Sequence, residues 1–161
     1  MDPFLEAYVA MDLIMGRVLA NLYSAQNAIH SWLYLQKEIS SLTDELEEWA
    51  LRSLPHDLLG TALTSEPSLS REQLLLYFYY NTAKIYINRP CLCKLDQRFN
   101  EQSEESARLN QQRAETCIQA AFDIAAILPN PPNAQWIYER GPWWSSVHTS
   151  KPSMLLATII H

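Results

Sequence analysis

Apolar and polar positions near the start of the chain alternate with the period of an α-helix. Apolar side chains recur at steps of three and four residues from Phe4 to Leu22, which predicts one face of a helix that reaches about Tyr23. Asp2 can accept hydrogen bonds from the free amides of the first turn. Pro3 is tolerated there because its missing N–H costs nothing. The spacing therefore predicts a first amphipathic helix that begins beside Asp2.

A second amphipathic stretch follows, with its acidic side chains pointing mostly away from its apolar face. The residues of that face are Ile39, Leu42, Leu46, Trp49 and Ala50. The pair Leu54-Pro55 predicts the end of the helix, because a residue before proline is disfavoured in the α conformation. Residues 60–68 carry Gly, Thr, Ser and Pro, which is typical of a surface loop.

The third predicted helix has the clearest start and stop signals. Ser70 and Gln73 have the spacing of a capping box, and Arg89-Pro90 predicts the end of the helix. Between these signals, residues 74–80 are apolar or aromatic on every side, which suits a central helix with several neighbours. A strand is the alternative for so aromatic a segment, but the length and the cap favour a helix.

The last predicted helix carries a stripe of small apolar residues that permits close packing against another helix. A polar loop or frayed entry is expected at residues 100–106, and Pro129 ends the helix. The stripe consists of Ala114, Cys117, Ile118, Ala121, Ile124, Ala125 and Leu128. Beyond it, tryptophans around Gly141-Pro142 predict a packed corner, and residues 149–161 lose the helical pattern.

Composition supports an all-α, irregular multi-helix fold within a single domain of residues 1–161. The chain has 3 Gly and 9 Pro, too few glycines for tight hairpins or phosphate-cradling loops. A net charge of −6 repels phosphate backbones, so no direct nucleic-acid binding is expected. No apolar run reaches the roughly 18 residues of a membrane span. Three cysteines at no framework spacing are typical of a reducing, intracellular compartment, and a soluble protein is expected.

Candidate chemistry is sparse, and each candidate has a simpler structural explanation. Cys91-x-Cys93 lacks further ligands at zinc spacing, and packing explains both residues. Asp44 and Glu48 lie one helical turn apart and could share a divalent ion, which would suit a small helical enzyme or ligand-binding protein. A solvated helix face explains the same residues. The four histidines are dispersed, so we predict no catalytic, cofactor or metal site.

Four short motifs occur in a fixed order along the chain. They are the Leu-x-x-Trp and Leu-Pro stretch of residues 46–55, the aromatic helix that closes on Asn-Arg-Pro at 88–90, the Cys-x-x-Ala-Ala of 117–121 and the Pro-Trp-Trp of 142–144. Together they resemble the fungal transcription-factor domain, also called the middle homology region. The matching positions, which the resemblance implies are packing residues, are Leu46, Trp49, Leu54, Pro55, Tyr80, Arg89, Pro90, Cys117, Ala120, Ala121, Pro142, Trp143 and Trp144.

The resemblance covers residues 23–148 and implies an all-helical regulatory domain without catalytic residues. In that family a six-cysteine binuclear zinc cluster contacts DNA, and this chain has only three cysteines. We therefore expect nuclear regulation of transcription through protein partners, such as a related factor, a dimer mate or a co-regulator, or through a small-molecule effector. Because the family domain is longer and residues 149–161 diverge from it, a partial domain is expected. A nonfunctional or competing remnant of a larger regulator is a further alternative.

Overall fold

A computed structural model describes residues 2–25, 30–58, 70–94 and 103–127. They form α1 (Pro3–Leu22), α2 (Trp32–Ser53), a 3-10 turn (His56–Leu58), α3 (Arg71–Leu92) and α4 (Glu104–Ile127). These residues include no strand, which confirms the all-α prediction. The predicted loop at 60–68, the proline stop at Pro129, the tryptophan corner and the tail at 149–161 lie outside the described residues.

Side-chain caps define the starts of the first three helices. The Asp2 carboxylate accepts a hydrogen bond from the Phe4 amide at 3.0 Å, and Ser70 and Gln73 form both bonds of the predicted capping box. The second helix begins earlier than its apolar pattern indicates, because Ser31 caps it. Its first turns place polar Gln36 on the buried face, which interrupts the apolar periodicity there.

The third helix packs against all three of the others, which confirms its predicted central position. One side contributes to a core shared with α1 and α2, which includes Tyr77, Tyr80 and Ile87. The opposite side contributes Leu74 and Phe78 to a second core shared with α4. Burial all round a helix removes apolar surface from water on every face, and this is the largest stabilising contribution in such a bundle.

The fourth helix packs its small side chains against α3, although two details of the prediction are wrong. Ala125 is exposed and Ile118 is only half-buried, because the buried face is centred on Cys117 and Ile124. The helix also begins at Glu104, inside the predicted loop. The Ser103 hydroxyl caps this start by accepting from a backbone amide, and acidic residues are favourable in a first turn.

Polar contacts set the position of α4 relative to α2 and α3. The Gln36 amide donates to the Ser106 carbonyl at 2.9 Å, and the Ser106 hydroxyl donates back to Gln36 at 2.7 Å. The buried Asn110 amide donates to the Cys91 carbonyl at 3.3 Å. An unpaired buried polar group raises the free energy of the folded state. These bonds therefore favour one helix register over others.

Pro90 does not end the third helix, contrary to the sequence prediction. The helix continues to Leu92, so Pro90 lies inside its last turn. Proline has no backbone N–H, and the carbonyl of Tyr86, four residues earlier, therefore loses its helical donor. The Tyr23 hydroxyl, just beyond the end of α1, donates to that carbonyl at 2.6 Å. A neighbouring element thus supplies the hydrogen bond that proline removes.

We expect Tyr23→Phe to lower the free energy of unfolding by about 0.5–1 kcal/mol, because it removes this donor while keeping the ring. In a Pro90→Ala background the backbone N–H is restored, and the same change should cost clearly less. Urea denaturation followed by circular dichroism measures both differences. Equal costs in the two backgrounds would contradict the assignment.

Candidate interaction surface

Most residues of the four family-like motifs are placed in the helical core. The buried ones are Leu46, Trp49, Leu54, Tyr80, Cys117, Ala120 and Ala121. Pro55 and Pro90 are half-buried at helix ends, and Arg89 is exposed on α3. Pro142, Trp143 and Trp144 lie outside the described residues. The buried members therefore shape the fold, and most of any surface that contacts a protein partner is formed by other residues.

Trp49 connects the first three helices. Its side chain is 1% exposed, and its indole N–H donates to the Ala7 carbonyl of α1 at 2.9 Å. Its ring stacks on Tyr80 of α3, with ring centroids 6.4 Å apart and planes inclined by 22°. One side chain of α2 thus contacts both α1 and α3 with a combination of polar and apolar contacts.

Charged groups contact Tyr80 at its hydroxyl and over its ring. Its hydroxyl donates to both carboxylate oxygens of Glu47, each at 3.0 Å, and the Lys84 ammonium lies 4.9 Å from its ring centroid. Burial and then the negative charge of Glu47 raise the pKa of the Tyr80 phenol, so it remains a hydrogen-bond donor at neutral pH. Glu47 is therefore a structural partner of α3.

The acidic segment 44–48 divides between two kinds of environment. Glu45 forms an ion pair with Arg17 of α1, and Glu47 binds Tyr80 as described. Asp44 and Glu48 are exposed on neighbouring turns of α2. Within the described ranges, no three His, Cys, Asp or Glu side chains are grouped in a way that could hold a metal ion. Two of the four acids thus connect α2 to its neighbours.

The cysteines differ sharply in their surroundings. Cys91 and Cys117 are buried, whereas Cys93 is exposed, so the Cys91-x-Cys93 pair does not share one environment. The Cys117 thiol donates to the Ile85 carbonyl at 3.7 Å. Burial raises the pKa of Cys91 to about 12 and that of Cys117 to about 11. Both buried thiols are therefore protonated and unreactive at neutral pH.

A cleft of about 410 Å³ opens where the start of α1, the end of α2 and the start of α3 meet. Its apolar lining includes Phe4, Trp49 and Leu76, and its polar lining includes Glu6, Arg52, Ser53, Glu72 and Gln73. Apolar walls with a few polar groups, at this volume, are typical of small-molecule sites. The cleft is a candidate ligand site among the described residues.

The first helix presents apolar residues on two opposite faces. Its inner face, which includes Met11 and Val18, is buried as its spacing predicts. On the solvent side, Leu5, Val9 and Leu13 are 49%, 48% and 64% exposed. The apolar spacing was used to predict the inner face alone, although the outer residues also recur at steps of four. Such an exposed apolar stripe is typical of an interaction surface.

The comparisons with known proteins give one distant match. The chain is 21% identical, over 175 aligned positions, to the transcription regulator galc of Aspergillus niger. The chain is similar to a fungal transcription regulator. The alignment covers 91% of this chain but 21% of that protein, so the chain spans about a fifth of the length of the curated relative it matches. No protein-family model and no solved structure matches the chain.

Across residues 2–25, 30–58, 70–94 and 103–127, no helix combines the length and the apolar character that a membrane crossing requires.

We expect Trp49→Phe to lower the free energy of unfolding by about 1–2 kcal/mol, because it removes the bond to Ala7 and part of a buried ring. Trp32→Phe is the matched control, since no described residue accepts from the Trp32 indole N–H. Its cost should be smaller. Urea denaturation measures both, and a larger loss for Trp32→Phe would contradict the role assigned to Trp49.

We expect one thiol, that of Cys93, to react rapidly with a small alkylating reagent in the folded chain, and all three to react in denaturant. In the folded chain the pKa values of Cys91 and Cys117 lie above the ordinary value of 9.0, so folding favours their protonated, less reactive forms. Their contribution to stability is complete below pH 9 and is lost as the pH rises through about 11 for Cys117 and about 12 for Cys91. Mass spectrometry of labelled peptides measures each site, and rapid labelling of Cys117 at pH 7 would contradict its burial.

Proposed function

We propose that this chain is a regulatory module of transcription by RNA polymerase II, related to the middle homology region of fungal zinc-cluster transcription factors. The observation that carries the proposal is the match to a fungal transcription regulator over 91% of the chain. The four motifs in family order support it independently, and the all-α fold agrees with it. On this proposal the chain acts in the nucleus.

The proposed mode of action is contact with proteins or an effector, without direct binding to DNA by this chain. Its net charge of −6 opposes association with a phosphate backbone. Its three cysteines are half of what a binuclear cluster requires, and two of them are buried in the helix core. On this proposal, DNA contact is made by residues other than those of this chain.

Two surfaces support this mode of action. The exposed stripe of α1, with Leu5, Val9 and Leu13, offers apolar area to a protein. The cleft beside Trp49 offers a small molecule both apolar walls and charged groups, among them Arg52. Both surfaces offer contact area to a partner or an effector, so we propose binding rather than catalysis.

A tethering experiment tests the proposal. Fused to a heterologous DNA-binding domain in a fungal host, the chain should change the output of a matched reporter severalfold relative to that DNA-binding domain alone. Trp49→Ala, which should unfold the core, provides the control for a folded module and should abolish the change. No change from a fusion that is expressed and nuclear would contradict the proposal.

A mobility-shift assay tests the second half of the proposal. The isolated chain should give no sequence-specific shift at physiological salt, because its charge disfavours DNA and it lacks a cluster to read bases. Tight, sequence-specific binding that survives competitor DNA would overturn the proposed mode of action.

A further inference from the structure

Gly16 lies in the middle of α1 on its exposed side. Glycine weakens a helix interior relative to alanine, so a glycine there is usually explained by a close approach of another group. No atom of the described residues lies within 4 Å of a Cβ built at this position. The described helices therefore make no use of the missing side chain.

Gly16 belongs to a stripe that we call the outer α1 face: Leu5, Val9, Leu13, Gly16 and Ala20. These residues share one side of the helix, because each successive residue turns it by about 100°. The large side chains occupy the first half of the stripe and the small ones the second half. All five are exposed.

We propose that the outer α1 face is a homodimer interface, in which α1 of one copy packs antiparallel against α1 of a second copy. A two-fold axis between positions 12 and 13 places Leu5 of each copy opposite Ala20 of the other. The same axis places Val9 opposite Gly16. Leu5 and Val9 of each copy then meet small residues of the other, and the two Leu13 side chains meet each other beside the axis, whereas parallel pairing sets all the large residues against large ones and leaves the small positions unfilled. This self-complementarity favours a second copy over any other occupant.

Charges at one edge of the stripe agree with this arrangement, and those at the other edge oppose it. Glu6 and Arg17 flank the same edge of the outer α1 face, and in an antiparallel two-fold pair equal edges meet. Glu6 of each copy therefore lies about two residues along the helix from the position that directly faces Arg17 of the other copy. The Arg17 side chain is 52% exposed in its ion pair with Glu45, which leaves the guanidinium accessible to a second carboxylate. At the other edge, Asp12 of one copy lies near Asp12 of the second.

The interface is small, which sets its expected strength. A helix of 20 residues is about 30 Å long, and a specific interface generally buries roughly 1,000 Å² or more, so one such helix from each copy offers a small interface. We therefore expect a reversible dimer with a dissociation constant in the micromolar range. The inference rests on α1 and does not depend on the proposed role in transcription.

Sedimentation equilibrium of the full purified chain tests the proposal. A reversible equilibrium between the 18.5 kDa monomer and its dimer is expected. Val9→Lys and Gly16→Leu should each weaken the dimer at least about tenfold, with an unchanged helical spectrum, because both positions face solvent. Leu51→Lys, which changes a leucine 61% exposed on α2, is the matched control and should not weaken it. Asp12→Asn should strengthen it, since it removes like charges beside the two-fold axis.

Disulfide trapping tests the register, in a Cys93→Ser background. The Val9→Cys, Gly16→Cys double variant should be cross-linked between copies on oxidation. Val9→Cys alone should not, because two copies of position 9 are about 10 Å apart along the axes, beyond the reach of a disulfide.

A monomer at all concentrations, a dimer unaffected by Val9→Lys and Gly16→Leu, or efficient cross-linking of Val9→Cys alone would each overturn the proposal. A monomer that Val9→Lys destabilises would instead assign the face to another segment of this chain.

Discussion

The apolar surface around α3 is the constraint on which the rest of the structure depends. A helix with Leu74 and Phe78 on one side and Tyr77 and Tyr80 on the other cannot face water anywhere along that region without a large loss of hydrophobic free energy. Three further helices are needed to cover it. The first two pack on one side and α4 on the other, so α3 belongs to two cores. The positions of α1, α2 and α4 follow from this requirement.

Side chains that reach between helices give this arrangement its specificity. Trp49 buries its ring against Tyr80 while its N–H binds the backbone of α1, so one residue determines how α2 lies relative to both neighbours. Glu47 and the Gln36–Ser106 pair add polar contacts that are satisfied in one register only. Apolar burial supplies most of the stability, and these directional bonds select one packing among several of similar apolar area.

The surfaces suited to recognition are formed mostly by residues outside the family-like motifs, because the motif residues are used in packing. A motif residue such as Leu46 or Ala121 is fully used in packing and has no surface left to offer. The outer α1 face is formed by residues that the motifs do not include, whereas the cleft shares one motif residue, Trp49, with the core. Such a fold can keep its core while its contacts change, because contact and core use mostly different residues.

Local patterns in the sequence determined the helices, their caps and their inner faces, because periodicity and capping act over a few residues. The capping box at Ser70 and the burial of Trp49 needed no structure to be predicted. Tertiary structure decided what depends on distant partners. Pro90 signals a helix end locally, yet α3 continues to Leu92. The carbonyl of Tyr86, which loses its helical donor to Pro90, accepts a hydrogen bond from Tyr23, 63 residues earlier in the chain. The acidic segment reads as one solvated face, yet Glu45 and Glu47 find partners on different helices. The exposure of Leu13 was equally hidden, since which apolar face of α1 stays in water depends on where α2 and α3 pack.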